Sequence, residues 1–160
     1  MRRSGLIGIS FITLLTAVGL VLGQTLKEPE VNKVPAEYQN KHIPAGWWTD
    51  TKIIQEGKRI YDGLDNAMVN CSACHGVDGK PMMPGARDLR DSAYMNKMTD
   101  SYWFWRISEG VPDTQMQGFK MILKQDQIWK VIVYEHIYSH GGKGAVHIVL
   151  EQNNSRQGLR

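Results

Sequence analysis

Cys71, Cys74 and His75 are the residues of this chain best suited to do chemistry. They include the only two cysteines, and the histidine follows the second at once. At i, i+3 and i+4 the three side chains share one face of a helical turn, so all can reach one flat ligand. C-x-x-C-H is the attachment pattern of c-type haem. Each thiol would add to a vinyl group to form a thioether, and His75 would ligate the iron from the same side. Two other chemistries use a cysteine pair. A redox C-x-x-C follows a strand in a strand-helix-strand pattern, and none surrounds Val69 to Lys80. Structural zinc wants four Cys/His ligands with a second clustered pair, whereas His42, His136, His140 and His147 are scattered.

The elements that must position this turn are helical. After Trp47-Trp48, Thr49 or Asp50 can cap a helix on which Ile53, Gly57, Ile60, Tyr61 and Leu64 form one stripe. A glycine inside a helix costs about 1 kcal/mol relative to alanine, and a close helix crossing would account for Gly57. Beyond the motif, GVDGKPMMPGARDLRD is rich in glycine and proline and reads as loop. Asp91 can cap a short helix through Tyr94 and Met95. A longer one runs from Asp100 or Ser101 through YWFWRISE to Gly110, with Pro112 just beyond. Its aromatic residues Tyr102 to Trp105 suit either a packed core or a large aromatic cofactor. A loop containing Met116 follows. From Lys124 to Ser139, Trp129, Val133 and Ile137 repeat at i+4, as do Ile128 and Ile132, so a helix closes the domain before Gly141-Gly142. Asp126 suits its N-terminal dipole.

The flanks differ from this domain in composition. Arg2-Arg3 precede an uncharged run from Gly5 to Gly23, which is a signal peptide or a retained membrane helix. At 19 residues the run is long for a signal peptide and close to a bilayer span, which leans toward an anchor. Either way the arginines favour the cytoplasmic side, and the remainder faces outward. Residues 24–46 are polar, contain three prolines and lack an apolar period, as an extended tether would; a strap docked against a partner is the alternative. Residues 47–140 form the domain, and 141–160 are a tail with one short apolar run, Val146 to Leu150. Of 19 basic residues two are Arg2 and Arg3, so the remainder carries 17 against 16 acidic. Nothing in that balance argues for nucleic acid.

From about Gly46 to His140 the chain resembles a class I, mono-haem cytochrome c: a helix with Gly57 and Tyr61, then CSACH, a Gly/Pro loop, an aromatic helix, a loop methionine, and a last helix with Trp129 and Tyr134. The resemblance implies an all-α, cytochrome c-like fold around one covalent haem c, preceded here by an N-terminal hydrophobic helix. It implies that the first and last helices cross near Gly57. It also implies cofactor binding through Cys71, Cys74 and His75, with Met116, 41 residues after His75, as the second iron ligand. Its context GVPDTQMQGF is similar to the family's loop except that Gln117 stands where proline is common, which loosens the expected rigidity. Among the other methionines, Met82 and Met83 lie too near the motif, Met95 and Met98 also compete, and Met121 is expected to pack under the last helix. A proline carbonyl, from Pro81 or Pro84, is expected to orient His75. Arg87, Arg90, Arg106, Trp103 and Trp105 are candidates for propionate contacts.

The function so implied is a single-electron carrier, not an enzyme, on the periplasmic side of the membrane, anchored or soluble after cleavage. Its partners would be redox proteins, and the chain is similar to single-haem subunits of bacterial respiratory complexes. Two other classes stay open: a ligand-binding or peroxidase-like haem with an open sixth site, and a structural subunit of such a complex.

Overall fold

A computed structural model of the chain describes residues 34–140. The run at 5–23, the first part of the tether, the Gly141-Gly142 stop and the tail lie outside the described residues. Among the described residues the fold is helical, with a single isolated bridge between Gly110 and Gln117 and no helix long and apolar enough to cross a membrane.

Five helices carry it: α1 (Thr51–Tyr61), α2 (Ser72–His75), α3 (Ser92–Met95), α4 (Asp100–Glu109) and α5 (Gln125–Ser139). Asp50 caps α1, accepting from the N–H groups of Lys52 and Ile53 at 2.8 and 3.2 Å. Gly57, Ile60 and Tyr61 of the expected stripe are buried. Leu64 is not: α1 ends at Tyr61, so the helical period stops before it and its side chain is exposed. Asp91 caps α3 as expected. For α4 the cap is Thr99, one residue earlier than expected, with its hydroxyl accepting from Tyr102 N–H at 3.2 Å. Gly110, at φ +79°, ends α4 in a backbone conformation that side chains disfavour.

The crossing of α1 and α5 is what Gly57 makes feasible. A Cβ there would stand 2.1 Å from the Lys130 carbonyl oxygen, well inside any tolerable contact. Tyr61 and Tyr134 meet edge-on beside it, with centroids 5.3 Å apart. On the far side of α5, Phe104 of α4 packs on Trp129 at 4.4 Å, and Trp48 and Trp103 both approach His136 edge-on. The aromatic surface of α4 thus fills the core from Tyr102 to Phe104, and Trp105 is partly exposed.

Two expectations fail on packing grounds. The polar stretch expected to be a free tether is, from Val34 onward, laid down on α4. Tyr38 and Ile43 are buried, Lys41 exchanges hydrogen bonds with Ser101 through both its N–H and its carbonyl at 3.0 Å, and Ile43 N–H donates to Asp100 Oδ2 at 3.1 Å. The Tyr38 hydroxyl donates to Glu109. Isolated apolar residues, rather than a periodic face, hold this strap. Met121, expected beneath α5, is 88% exposed, because the chain turns at Phe119 to Leu123 and directs Leu123 inward instead.

Candidate haem-attachment site

Asn70 opens the attachment turn. Its Oδ1 accepts from the Ser72 hydroxyl at 2.9 Å and from Ala73 N–H at 3.1 Å, so a side chain supplies an acceptor for the start of a helix too short to stabilise itself. The N–H groups of Cys74 and His75 both donate to the Cys71 carbonyl, at 3.1 and 2.9 Å. Gly76, at φ +79°, then reverses the chain where a Cβ would stand 2.1 Å from the Lys80 carbonyl oxygen. Both thiols are free and half-buried. Burial, and after it the field of Glu135, pushes the Cys71 thiol up. Cys74 Sγ lies 3.2 Å from Met83 Sδ.

Three links fasten this turn to the rest of the fold. The Tyr61 hydroxyl donates to the Gly76 carbonyl at 2.7 Å, and the Tyr138 hydroxyl donates to the Val77 carbonyl at 2.9 Å. Gly79 is buried against the Tyr138 ring, where a Cβ would meet ring carbon at 2.7 Å. The third link is His75 Nδ1, 2.9 Å from the Arg87 carbonyl oxygen. A carbonyl can only accept, so Nδ1 carries the proton and Nε2 presents its lone pair. The orienting carbonyl is therefore that of Arg87, not of Pro81 or Pro84. The loop reaches back across the turn further along than expected, where Leu89 N–H bonds the Gly79 carbonyl at 3.0 Å.

Met116 sits in a loop fixed to the end of α4. Val111 N–H donates to the Met116 carbonyl at 2.9 Å, and Met116 N–H donates to the Thr114 hydroxyl at 3.1 Å. Gly110 allows this approach, since a Cβ there would lie 2.4 Å from the Met116 carbonyl oxygen. These backbone bonds supply restraint that a proline at position 117 would otherwise give. Met116 is half-buried against the core. Met95 and Met98 are core residues, Met82 and Met121 face solvent, and Met83 stands beside Cys74.

The basic and indole candidates separate. Arg90 is committed to Asp88 through two hydrogen bonds, at 2.9 and 2.7 Å, and holds that carboxyl down near 2. Arg87 stacks on Tyr94 and Arg106 on Trp105, at 3.8 and 3.7 Å from the ring centroids. Trp103 Nε1 and Arg106 Nε are buried donors with no acceptor among the described residues. Two thiols and an oriented imidazole on one turn, with orphaned donors on α4, form a set that fits a covalent haem and its propionates.

Two features of the site had weak or no sequence signal. The Arg87 carbonyl has none, being backbone. Glu135, an acid within the apolar period of α5, is buried and was findable only as a break in that pattern.

The family model for cytochrome c matches residues 54–134, which takes in most of α1, the attachment turn, the Met116 loop and most of α5. No curated protein and no solved structure matches the chain. Covalent haem c and haem-based electron transfer are the chemistry of that family. With half of its 160 residues matched and a helical fold among the described residues, this chain belongs to the cytochrome c family.

Proposed function

We propose that the protein is a single-electron carrier holding one haem c through Cys71 and Cys74, with His75 and Met116 as axial ligands. The observation that carries this reading is the hydrogen bond from His75 Nδ1 to the Arg87 carbonyl, which leaves Nε2 available on the same turn as two free thiols. When bound, the haem supplies a one-electron Fe(III)/Fe(II) couple. The chain's own residues do the rest. Arg87 fixes the imidazole and raises its basicity. Met116 offers a soft thioether that favours the ferrous state. The aromatic core residues of α4 exclude water, and Trp103 and Arg106 offer donors to anionic propionates.

Support for Met116 comes from its half-buried position and from the disposition of its rivals, which are in the core, in solvent or beside Cys74. The carrier works on the periplasmic side of the membrane. Arg2-Arg3 and the uncharged run that follows favour that orientation, with the run as anchor or, if cleaved, as export signal. Its partners are redox proteins of a membrane respiratory complex, met through a small transient interface.

Spectra of the oxidised and reduced protein test the ligand set. Met116→Ala is expected to remove the weak near-infrared band of methionine-to-ferric ligation and to make the ferrous protein bind carbon monoxide. A wild-type protein that lacks the band and binds carbon monoxide overturns the reading in favour of an open, ligand-binding haem. Intact mass counts the covalent haems, with one expected.

A further inference from the structure

The carbonyl that orients His75 belongs to an arginine, and an arginine has no ring to fix its own φ as a proline has. Backbone bonds tie the neighbours of Arg87: Ala86 N–H donates to the Met83 carbonyl at 3.1 Å, and Leu89 N–H to the Gly79 carbonyl at 3.0 Å. The Arg87 N–H makes no backbone hydrogen bond among the described residues. Its restraint comes from its side chain. The guanidinium lies flat against α3, with its central carbon 3.8 Å from the centroid of the Tyr94 ring. Both residues are half-buried, and a cation on an aromatic face holds more strongly there than in open solvent.

The Tyr94 ring is itself held from three directions. Its own N–H donates to the Asp91 carboxylate at 3.1 Å, which fixes the start of α3. Its hydroxyl stands 3.4 Å from that of Tyr102, and its ring meets Trp103 edge-on with centroids 6.0 Å apart. A continuous line of contacts therefore runs from Tyr102 and Trp103 of α4, through the Tyr94 ring and the Arg87 guanidinium, to the Arg87 carbonyl 2.9 Å from His75 Nδ1. Arg106 stacks as closely on Trp105, at 3.7 Å, but its carbonyl accepts from Gly110 N–H at the end of α4. Of these two stacked arginines, only Arg87 has its carbonyl on the histidine.

Resting on the haem reading above, we propose that Tyr94 is a positioning residue for the iron site: its ring clamps the Arg87 guanidinium and so sets the carbonyl that fixes the His75 imidazole. A steady Nδ1–H···O bond makes His75 the more basic ligand, and a more basic ligand favours ferric over ferrous iron. Releasing the clamp lets the Arg87 peptide swing between the tethers at Ala86 and Leu89. The bond to Nδ1 then lengthens part of the time, and the balance moves toward the ferrous state. The tethers remain, so the effect is graded rather than total.

The test compares Tyr94→Leu and Tyr94→Phe with the wild type as full-chain holoproteins. Phenylalanine keeps the ring under the guanidinium and loses only the hydroxyl; leucine removes the ring. NMR hydrogen exchange of the His75 Nδ1–H in the ferrous protein reads the clamp. In Tyr94→Leu this exchange is expected to quicken roughly 5- to 30-fold, as loss of one partly desolvated cation–π contact implies, and the midpoint potential to shift upward. Tyr94→Phe is expected to stay close to the wild type in both. Haem present, with exchange and midpoint unchanged in Tyr94→Leu, overturns this inference alone. Equal quickening in Tyr94→Phe, or quickening shared by the backbone amides of α5, also overturns it, since the cause would then be the hydroxyl or a general loosening. Should Tyr94→Leu not fold, Arg87→Met keeps the carbonyl, removes the guanidinium and decides by the same exchange; an unchanged rate overturns the inference. Absence of covalent haem by mass overturns the carrier reading first, and this one with it.

Discussion

The two flanks of the site are held in opposite ways. On the histidine side, the turn from Cys71 to Leu89 is fastened by side chains arriving from other elements: Tyr61 from α1 and Tyr138 from α5, whose ring covers Gly79 of the turn. On the methionine side, residues 110–119 are held mostly by their own backbone and by Thr114, and Pro112 to Gln115 are exposed. Links that span 15 and 61 residues tie the histidine side to the global fold, whereas the methionine loop is a local structure that can open without it. The difference teaches that Met116, the proposed second ligand, sits on the more yielding flank.

The strongest way to break the contrast is to remove what the histidine side depends on. Gly57→Leu places side-chain atoms where a Cβ alone already meets the Lys130 carbonyl at 2.1 Å. Separating α1 from α5 loosens Tyr61 and Tyr138 together. A loss of roughly 3 kcal/mol or more is expected in chemical denaturation, which exceeds ordinary overpacking because the obstacle is backbone. Stability near that of the wild type would show that the crossing is not what fastens the attachment turn.

A second, smaller effect sharpens the comparison through pH. The folded pKa of Glu135 is raised, so its contribution to stability is fully present below the unfolded value of 4.5 and is lost as pH rises through about 8. Over that window the protein is expected to lose up to a few kcal/mol, an order-of-magnitude figure, and Glu135→Gln is expected to remove most of the dependence. Denaturation midpoints followed across the window check this. A slope unchanged in the variant would place the pH dependence elsewhere.

The smallest effect belongs to the methionine side. Thr114→Val deletes the hydroxyl that accepts from Met116 N–H and donates to the Val111 carbonyl at 2.8 Å. Global stability is expected to fall by only about 1 kcal/mol, while carbon monoxide binding to the ferrous protein rises. If unfolding changes by much more than that, the loop is part of the global unit and the contrast does not hold.

The same contrast runs through what could be read in the sequence. Side-chain chemistry at fixed spacing announced the attachment turn, and Gly57 announced a crossing because a glycine there had a cost that only close approach explains. The α4 and α5 helices were legible from caps and i+4 repeats. The orienting role of Arg87 leaves no mark in the sequence, because it belongs to a carbonyl that every residue carries. The strap from Val34 to Gly46 reads as tether in the sequence because its buried residues Tyr38 and Ile43 stand too far apart to make a periodic face. Leu64 and Met121 show the reverse error: each fitted an apolar pattern that the chain had already left, one past the end of α1 and one on the outside of a turn.

The strap carries a mechanical consequence. Any pull on the chain from its N-terminal side reaches Tyr38, Lys41 and Ile43 before it reaches α1, and these residues pass the load to Glu109, Ser101 and Asp100 of α4. Glu109 also receives Lys120 Nζ at 2.7 Å, so it joins the strap to both ends of the loop that runs from Gly110 through Met116. Tension along the chain is therefore delivered to the edge of the more yielding flank, while the turn that bears Cys71, Cys74 and His75 lies further down the line of force.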